Sequence, residues 1–161
     1  MGTLMQDNYK APYNDFGSRD IPMGKADYDK LKAAGVEMVH VPFILGAISF
    51  FYNIPGLTQP LNLTACLLAD IFTGKVTSWD SPKILEINEG MKGMTMVNPT
   101  IKAARRVLGS SSTSLMSQYL NLVCPDRWDI GVGKGGLNKD GSMKAPVWPE
   151  STVPQQGTEH S

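Results

Sequence analysis

The stretch that most limits what this chain can fold into is Val36 to Tyr52, VEMVHVPFILGAISFFY, a long β-branched and aromatic run broken by Pro42 and Gly46. It is too apolar for a strand with one face in water, and its pattern predicts buried strands of a parallel or mixed sheet, one extended path with a bend. The same run does not span a membrane. Its most apolar part, Phe43 to Tyr52, is interrupted by Gly46 and Ser49, and no charge-free apolar stretch approaches the roughly 18 residues a spanning helix needs.

Helical periods flank that run. Ala26 to Ala34 predicts a short helix closed by Gly35, and Leu63 to Thr73 puts Leu63, Leu67, Leu68, Ile71 and Phe72 on one face before Gly74. Ser81 to Asn88 predicts another short helix, with Ser81 as cap, Pro82 at its first position and Gly90 beyond its end. Thr100 to Val107 alternates as a strand, and Gly109-Ser110-Ser111-Ser112 leads into a helix carrying Leu115, Met116, Tyr119, Leu120 and Val123 that Pro125 stops. Tyr13 to Met23 predicts a strand end and turn, whereas Thr152 to Ser161 predicts no element. Strands alternating with helices imply an α/β fold with a mostly parallel sheet, whose ligands sit where strand ends meet helix starts.

Charge removes whole function classes. Lys plus Arg and Asp plus Glu each number 15, so there is no basic field to hold nucleic acid or an anionic membrane, and any anion must be caught by a local device. With 161 residues and 42% hydrophobic content, the chain has material for a core the size of one ordinary domain. The amino terminus, Met1 to Lys10, lacks the apolar region of a secretory signal. Cys66 and Cys124 fit no metal spacing and permit one disulfide without requiring it.

The local device is Arg105-Arg106-Val107-Leu108-Gly109-Ser110-Ser111-Ser112-Thr113-Ser114, where guanidinium groups at a strand end meet a hydroxyl-rich helix start. The first turn of a helix has unpaired N–H groups and about half a positive charge, and an arginine adds bidentate contacts to an oxyanion held there. No Asp or Glu lies between Ser110 and Pro125 to occupy that positive end. A serine cluster is also the commonest N-cap, so the stretch by itself is compatible with a cap and nothing more.

Read together, the segments resemble the substrate-binding protein of the high-affinity phosphate importer. DFGSRDIPM, from Asp15 to Met23, is similar to that family's strand and turn ending in an aspartate before a proline, and VPFILGAISFFYNIPG, from Val41 to Gly56, to its crossing strand and turn. LADIFTGKVTSWDSP, from Leu68 to Pro82, Ile101 to Ser114, and the glycine-rich region from Trp128 to Pro149 follow in the family's order. The resemblance implies a two-lobed, type II periplasmic-binding-protein-like α/β fold. It also implies that the chain is incomplete at both ends, with residues 1–45 in a partial first lobe, 46–161 in most of the second, and a hinge crossing near Gly46.

Carried over position by position, the family's phosphate ligands fall on Asp20, Arg106, Ser110, Ser111 and Ser112. An aspartate suits hydrogen phosphate, which still has a proton to donate, and repels sulfate, which has none. Leaving such an acceptor unpaired costs a few kcal/mol, on the order of a hundredfold in affinity. Arg106 would balance charge and grip two oxygens, Ser110 and Ser112 would donate hydroxyls, and Ser111 its backbone N–H. The chain departs from the family at Leu108, where an acidic residue is usual, at Ser111 in place of glycine, at Ser112 in place of threonine and at Arg19 in place of serine. With only part of the site, weak binding or none is expected of the chain alone.

The implied function is capture of inorganic phosphate outside the cytoplasm, in the periplasm, at the cell surface or as a secreted protein. An ABC transporter permease is the implied partner, with no cofactor, no metal, no nucleic acid and no catalysis. The alternatives are a degenerate interaction domain without ligand, a binder of sulfate, molybdate or tungstate, and an enzyme using the same helix terminus, for which no nucleophile with its base is present. Met91, Met94 and Met96 have a spacing that suits cuprous ion but read better as packing. His40 reads as a satisfied core histidine and Trp79 as a packing residue, while the sequon at Asn62 has the weight of a chance triplet.

Overall fold

A computed structural model of the chain describes residues 16–107, 110–129 and 147–155. These divide into two compact units, one up to Ala47 and one from Ile48 onward.

The first unit contains helix α1, Lys25–Ala33. Its end follows from Gly35, which takes φ +74°. That left-handed turn lets the Val36 N–H reach the Leu31 carbonyl and the Gly35 N–H the Lys32 carbonyl, both at 3.0 Å, so two otherwise orphaned carbonyls are satisfied. Leu31 is the buried anchor of the helix.

The run that was expected to form buried strands does not do so in the first unit. Residues 37–53 belong to no helix or paired strand, and Val39, Val41, Phe43, Ile44 and Leu45 are exposed. Apolar composition states what a segment prefers to bury, but a strand needs a neighbour's amides, and none of the described residues supplies them. His40 is corrected with it. It is exposed rather than in a core, though its Nε2 accepts the Met23 N–H at 3.0 Å.

The second unit is built around helix α2, Ala65–Phe72, which starts where the Thr64 hydroxyl accepts the Leu67 N–H at 3.2 Å. It ends at Gly74, φ +75°, with the same reversal as α1: the Lys75 N–H reaches the Asp70 carbonyl at 2.8 Å. Leu67 and Ile71 face a cluster with Ile54, Val76, Ile84, Met91 and Ile101, and Leu68 and Ala69 face another with Met116, Leu120 and Trp128. A helix buried on two sides must be apolar around most of its girth, which its sequence, ACLLADIF, provides.

Helix α3, Pro82–Leu85, is shorter than the expected 81–88, although Ser81 and Pro82 hold the expected cap and first positions. Asn88 ends it by donating its side-chain amide to the Ile84 and Asn62 carbonyls, and the chain turns through a 3-10 segment, Glu89–Met91. Met91 is buried in the first cluster with Met94 and Met96 packed against it, so all three methionines are core material; Trp79 packs there too.

Strand β1, Ala103–Arg106, is followed by helix α4, Ser111–Val123. The expectation that the last stretch forms no element is corrected by strand β2, Thr152–Gln155, which pairs with β1 in parallel, Ala103 opposite Thr152 and Arg105 opposite Pro154. Pro154 is tolerated because, among the described residues, β2 pairs only with β1, and a proline fits a strand edge that needs no donor. Cys66 and Cys124 form a disulfide, Cα–Cα 5.4 Å, joining the start of α2 to the end of α4. Much of the glycine-rich region between Trp128 and Pro149, together with Leu108 and Gly109, lies outside the described residues.

Candidate functional site

The second unit brings together a strand end and a helix start. Arg105 and Arg106 close β1, and Ser110 is the N-cap of α4, with φ −146° and ψ 126°. The Ser110 Oγ accepts the Thr113 N–H at 3.3 Å and its carbonyl the Ser114 N–H at 3.0 Å. That geometry engages the acceptor side of the hydroxyl and leaves its proton as a donor. Ser111 and Ser112 hold the first two helical positions. The first turn of α4 carries no acidic side chain, so its positive end is uncompensated from within the helix.

The two arginines have different assignments. Arg105 donates Nε–H to the Thr152 Oγ1 at 3.0 Å and its guanidinium lies 5.8 Å from the Trp148 ring centroid. It fastens β2 to β1 and is occupied by structure. The Arg106 Nε is shut off from solvent and has no hydrogen-bond acceptor among the described residues. A donor left that way costs about 1–3 kcal/mol, and a ligand oxygen is one means of removing the cost.

Arg106, Ser110, Ser111 and Ser112 thus sit on one strand–loop–helix passage of the second unit. Asp20 belongs to the first unit, on an exposed bend ahead of α1. The fastening of Arg105 by Thr152 and Trp148 was missed from sequence, since a lone threonine 47 positions away gives no local signal.

Two other cations of the second unit, Lys83 and Arg127, are committed. Lys83 and Arg127 line an open depression of about 400 Å³ with Thr64, Cys66 and Glu86, but both donate to the same Asp70 oxygen, at 2.7 and 2.6 Å. Among the described residues no group of three or more His, Cys, Asp or Glu side chains is placed to hold a metal ion, and no helix is long and apolar enough to cross a membrane.

A strand end bearing arginine that leads into a serine-capped helix start is one arrangement that can hold an oxyanion, and a family model matches the chain that carries it. The model described as the PBP superfamily domain matches residues 4–160. The chain belongs to that family. Similar curated proteins are the phosphate-binding protein PstS of Methanocaldococcus jannaschii, 29% identical over 92% of this chain and 36% of the relative, and PstS 3 of Mycobacterium leprae, 28% identical over 86% and 39%. PstS of Pasteurella multocida is 32% identical over 84% of this chain and 35% of its own length. This PBP-superfamily chain therefore spans less than two-fifths of the length of the relatives it matches.

Proposed function

We propose that this chain carries ligand-binding residues of a protein that captures hydrogen phosphate without changing it covalently, a solute-binding protein working outside the cytoplasm with an ABC transporter permease. The observation that carries the reading is the contrast between the two arginines: Arg105 is consumed by Thr152 and Trp148, while the Arg106 Nε has no acceptor among the described residues, and the helix that follows it in the chain starts free of acidic side chains. The three relatives are named as phosphate-binding proteins, and those names supply the choice of anion.

In this reading Arg106 neutralises charge and grips oxygen through Nε–H and a terminal N–H, Ser110 and Ser112 donate hydroxyls, and Ser111 donates its amide. Asp20 accepts the proton that distinguishes hydrogen phosphate from sulfate, which is why the other tetrahedral oxyanions are disfavoured. Capture of this kind needs no base or nucleophile, in keeping with relatives named for binding rather than for a reaction.

An ¹⁵N NMR titration of the chain tests the proposal, because it detects binding too weak for calorimetry. Phosphate is expected to shift the amides of Ser111 and Ser112 and the Arg106 Nε–H saturably, sulfate to do so far less, and Asp20→Asn to narrow the gap between the two anions. Equal responses to both anions, untouched by Asp20→Asn, would remove Asp20 from the site. Unchanged resonances at Arg106 and Ser110 to Ser112 in millimolar phosphate would refute the site itself.

A further inference from the structure

Thr152 is a buried hydroxyl that both donates and accepts. Its single proton goes to the Pro149 carbonyl at 2.8 Å, so in the 3.0 Å contact with Arg105 the Thr152 Oγ1 accepts the Nε–H. The Pro149 carbonyl also accepts the Thr152 N–H at 3.0 Å, which fixes the turn that brings this hydroxyl into place. Trp148, the residue before that proline, supplies the ring face below the Arg105 guanidinium and stands edge-on to Trp128, ring centroids 6.2 Å apart. Trp128 is wholly buried and Trp148 packs against the same core cluster, so the seat of Arg105 is anchored in the core.

We propose that Thr152 is a positioning residue for the anion at Arg106, acting through Arg105; this rests on the reading of Arg106 as a phosphate ligand and adds to it a residue that touches no ligand. The link is geometric. Ala103 lies opposite Thr152 and Arg105 opposite Pro154, so Arg105 reaches back diagonally across the ladder and ties the end of β1 to the start of β2. Successive side chains of a strand project to opposite faces, so the side on which Arg105 is seated settles the side on which Arg106 emerges.

Arg106 stands where such a tie has most effect. It is the last residue of β1, and among the described residues no ladder pair follows its own with Gln155. A guanidinium grips an oxyanion through N–H bonds of fixed fork geometry, which a small rotation of the strand end misaligns. Holding the neighbouring residue by a hydroxyl and a ring restricts that rotation before the anion arrives, so less ordering is left to be done on binding. Thr152→Val keeps the branched shape that suits a strand and removes only the hydroxyl, which isolates the tie.

Titrating the ¹⁵N-labelled whole chain with inorganic phosphate, while following the Arg106 Nε–H, tests this. Thr152→Val is expected to weaken phosphate binding by on the order of fivefold or more and to speed exchange of the Arg105 Nε–H with water. Thr152→Ser, which returns the hydroxyl, is expected to restore both. Arg105→Lys keeps the charge, takes away the Nε–H, and is expected to weaken phosphate as Thr152→Val does, with no further loss in the double variant. Asp70→Asn, a destabilising change on α2, is expected to leave phosphate affinity unchanged, which separates positioning from general loss of stability. A wild type that binds phosphate beside a Thr152→Val variant that binds it equally well would overturn the positioning role and leave the site standing. Additive losses in the double variant, no recovery with Thr152→Ser, or an equal loss in Asp70→Asn would overturn it likewise. An Arg106 Nε–H indifferent to phosphate in the wild type would overturn the site and this role together.

Discussion

The indole N–H of Trp128 donates to the Ser117 Oγ at 3.0 Å, and both side chains are wholly buried. Ser117 lies in the middle of α4 and Trp128 in the segment after it, so this bond folds the chain back along its own helix and completes the cluster with Leu68, Met116 and Leu120.

Removing that acceptor is therefore expected to be costly for so small a change. Ser117→Ala strands the Trp128 N–H away from water and is expected to lower unfolding free energy by about 1–3 kcal/mol. Urea denaturation followed by tryptophan fluorescence measures it; an unchanged midpoint would show that the bond is not formed in solution.

Asp70 offers an asymmetric case. Its side chain is 2% exposed and paired with Lys83 and Arg127, whose side chains are 53 and 46% exposed. Truncating both cations leaves a buried charge alone, an expected loss of roughly 3 kcal/mol or more. Asp70→Asn leaves two cations that water still reaches, and is expected to cost less, about 1–2 kcal/mol. Comparing the two variants by chemical denaturation reads the order, and the reverse order would mean that Asp70 is better solvated than its burial implies.

The disulfide closes 58 residues that include α3, β1 and α4. On chain-entropy grounds the double variant Cys66→Ser, Cys124→Ser is expected to lose about 2–4 kcal/mol, seen as a lowered melting temperature. The wild type in reductant should match the double variant. A reductant effect on the variant itself would point to something other than this bond.

Gly74 and Gly35 separate backbone strain from packing. Both have φ near +75°, a region that costs an ordinary residue about 1–2 kcal/mol. A Cβ on Gly35 meets nothing within 4 Å, whereas one on Gly74 falls 2.8 Å from the Ser151 Oγ and 3.4 Å from the Pro149 Cγ. Gly74→Ala is expected to be the more destabilising of the two and to loosen the β2 region. Equal losses would show that Ser151 moves aside freely.

What the sequence made legible was what it encodes locally. Ser110 as a cap, Gly35 and Gly74 as helix ends, Pro82 at a first position and Pro125 after a last one all act within a turn or two, and all were readable; the Thr64 cap was not, the helix being expected from Leu63. That Arg106 closes a strand and Ser110 to Ser112 open a helix was readable because it too is local. Strand β2 was not, because Thr152-Val153-Pro154-Gln155 contains a proline and becomes a strand only through β1. The disulfide remained open since spacing alone cannot bring two cysteines together. Residues 37–53 failed in the opposite sense: their pattern is that of a strand, and the pairing that makes one is a property of neighbours.

The parallel pairing of β1 with β2 also fixes an order of events. Arg105 and Thr152 are 47 positions apart, and a parallel ladder cannot form by simply doubling back as a hairpin does. During synthesis the arginine-bearing strand emerges first and waits, without its edge partner, until the ribosome has made the residues near Thr152. Any anion-holding competence that depends on Arg106 being steadied by its neighbour strand is thus acquired late, after α2 and α3 are already available to pack. An interruption of translation before that point would leave the helices and release no finished strand pair.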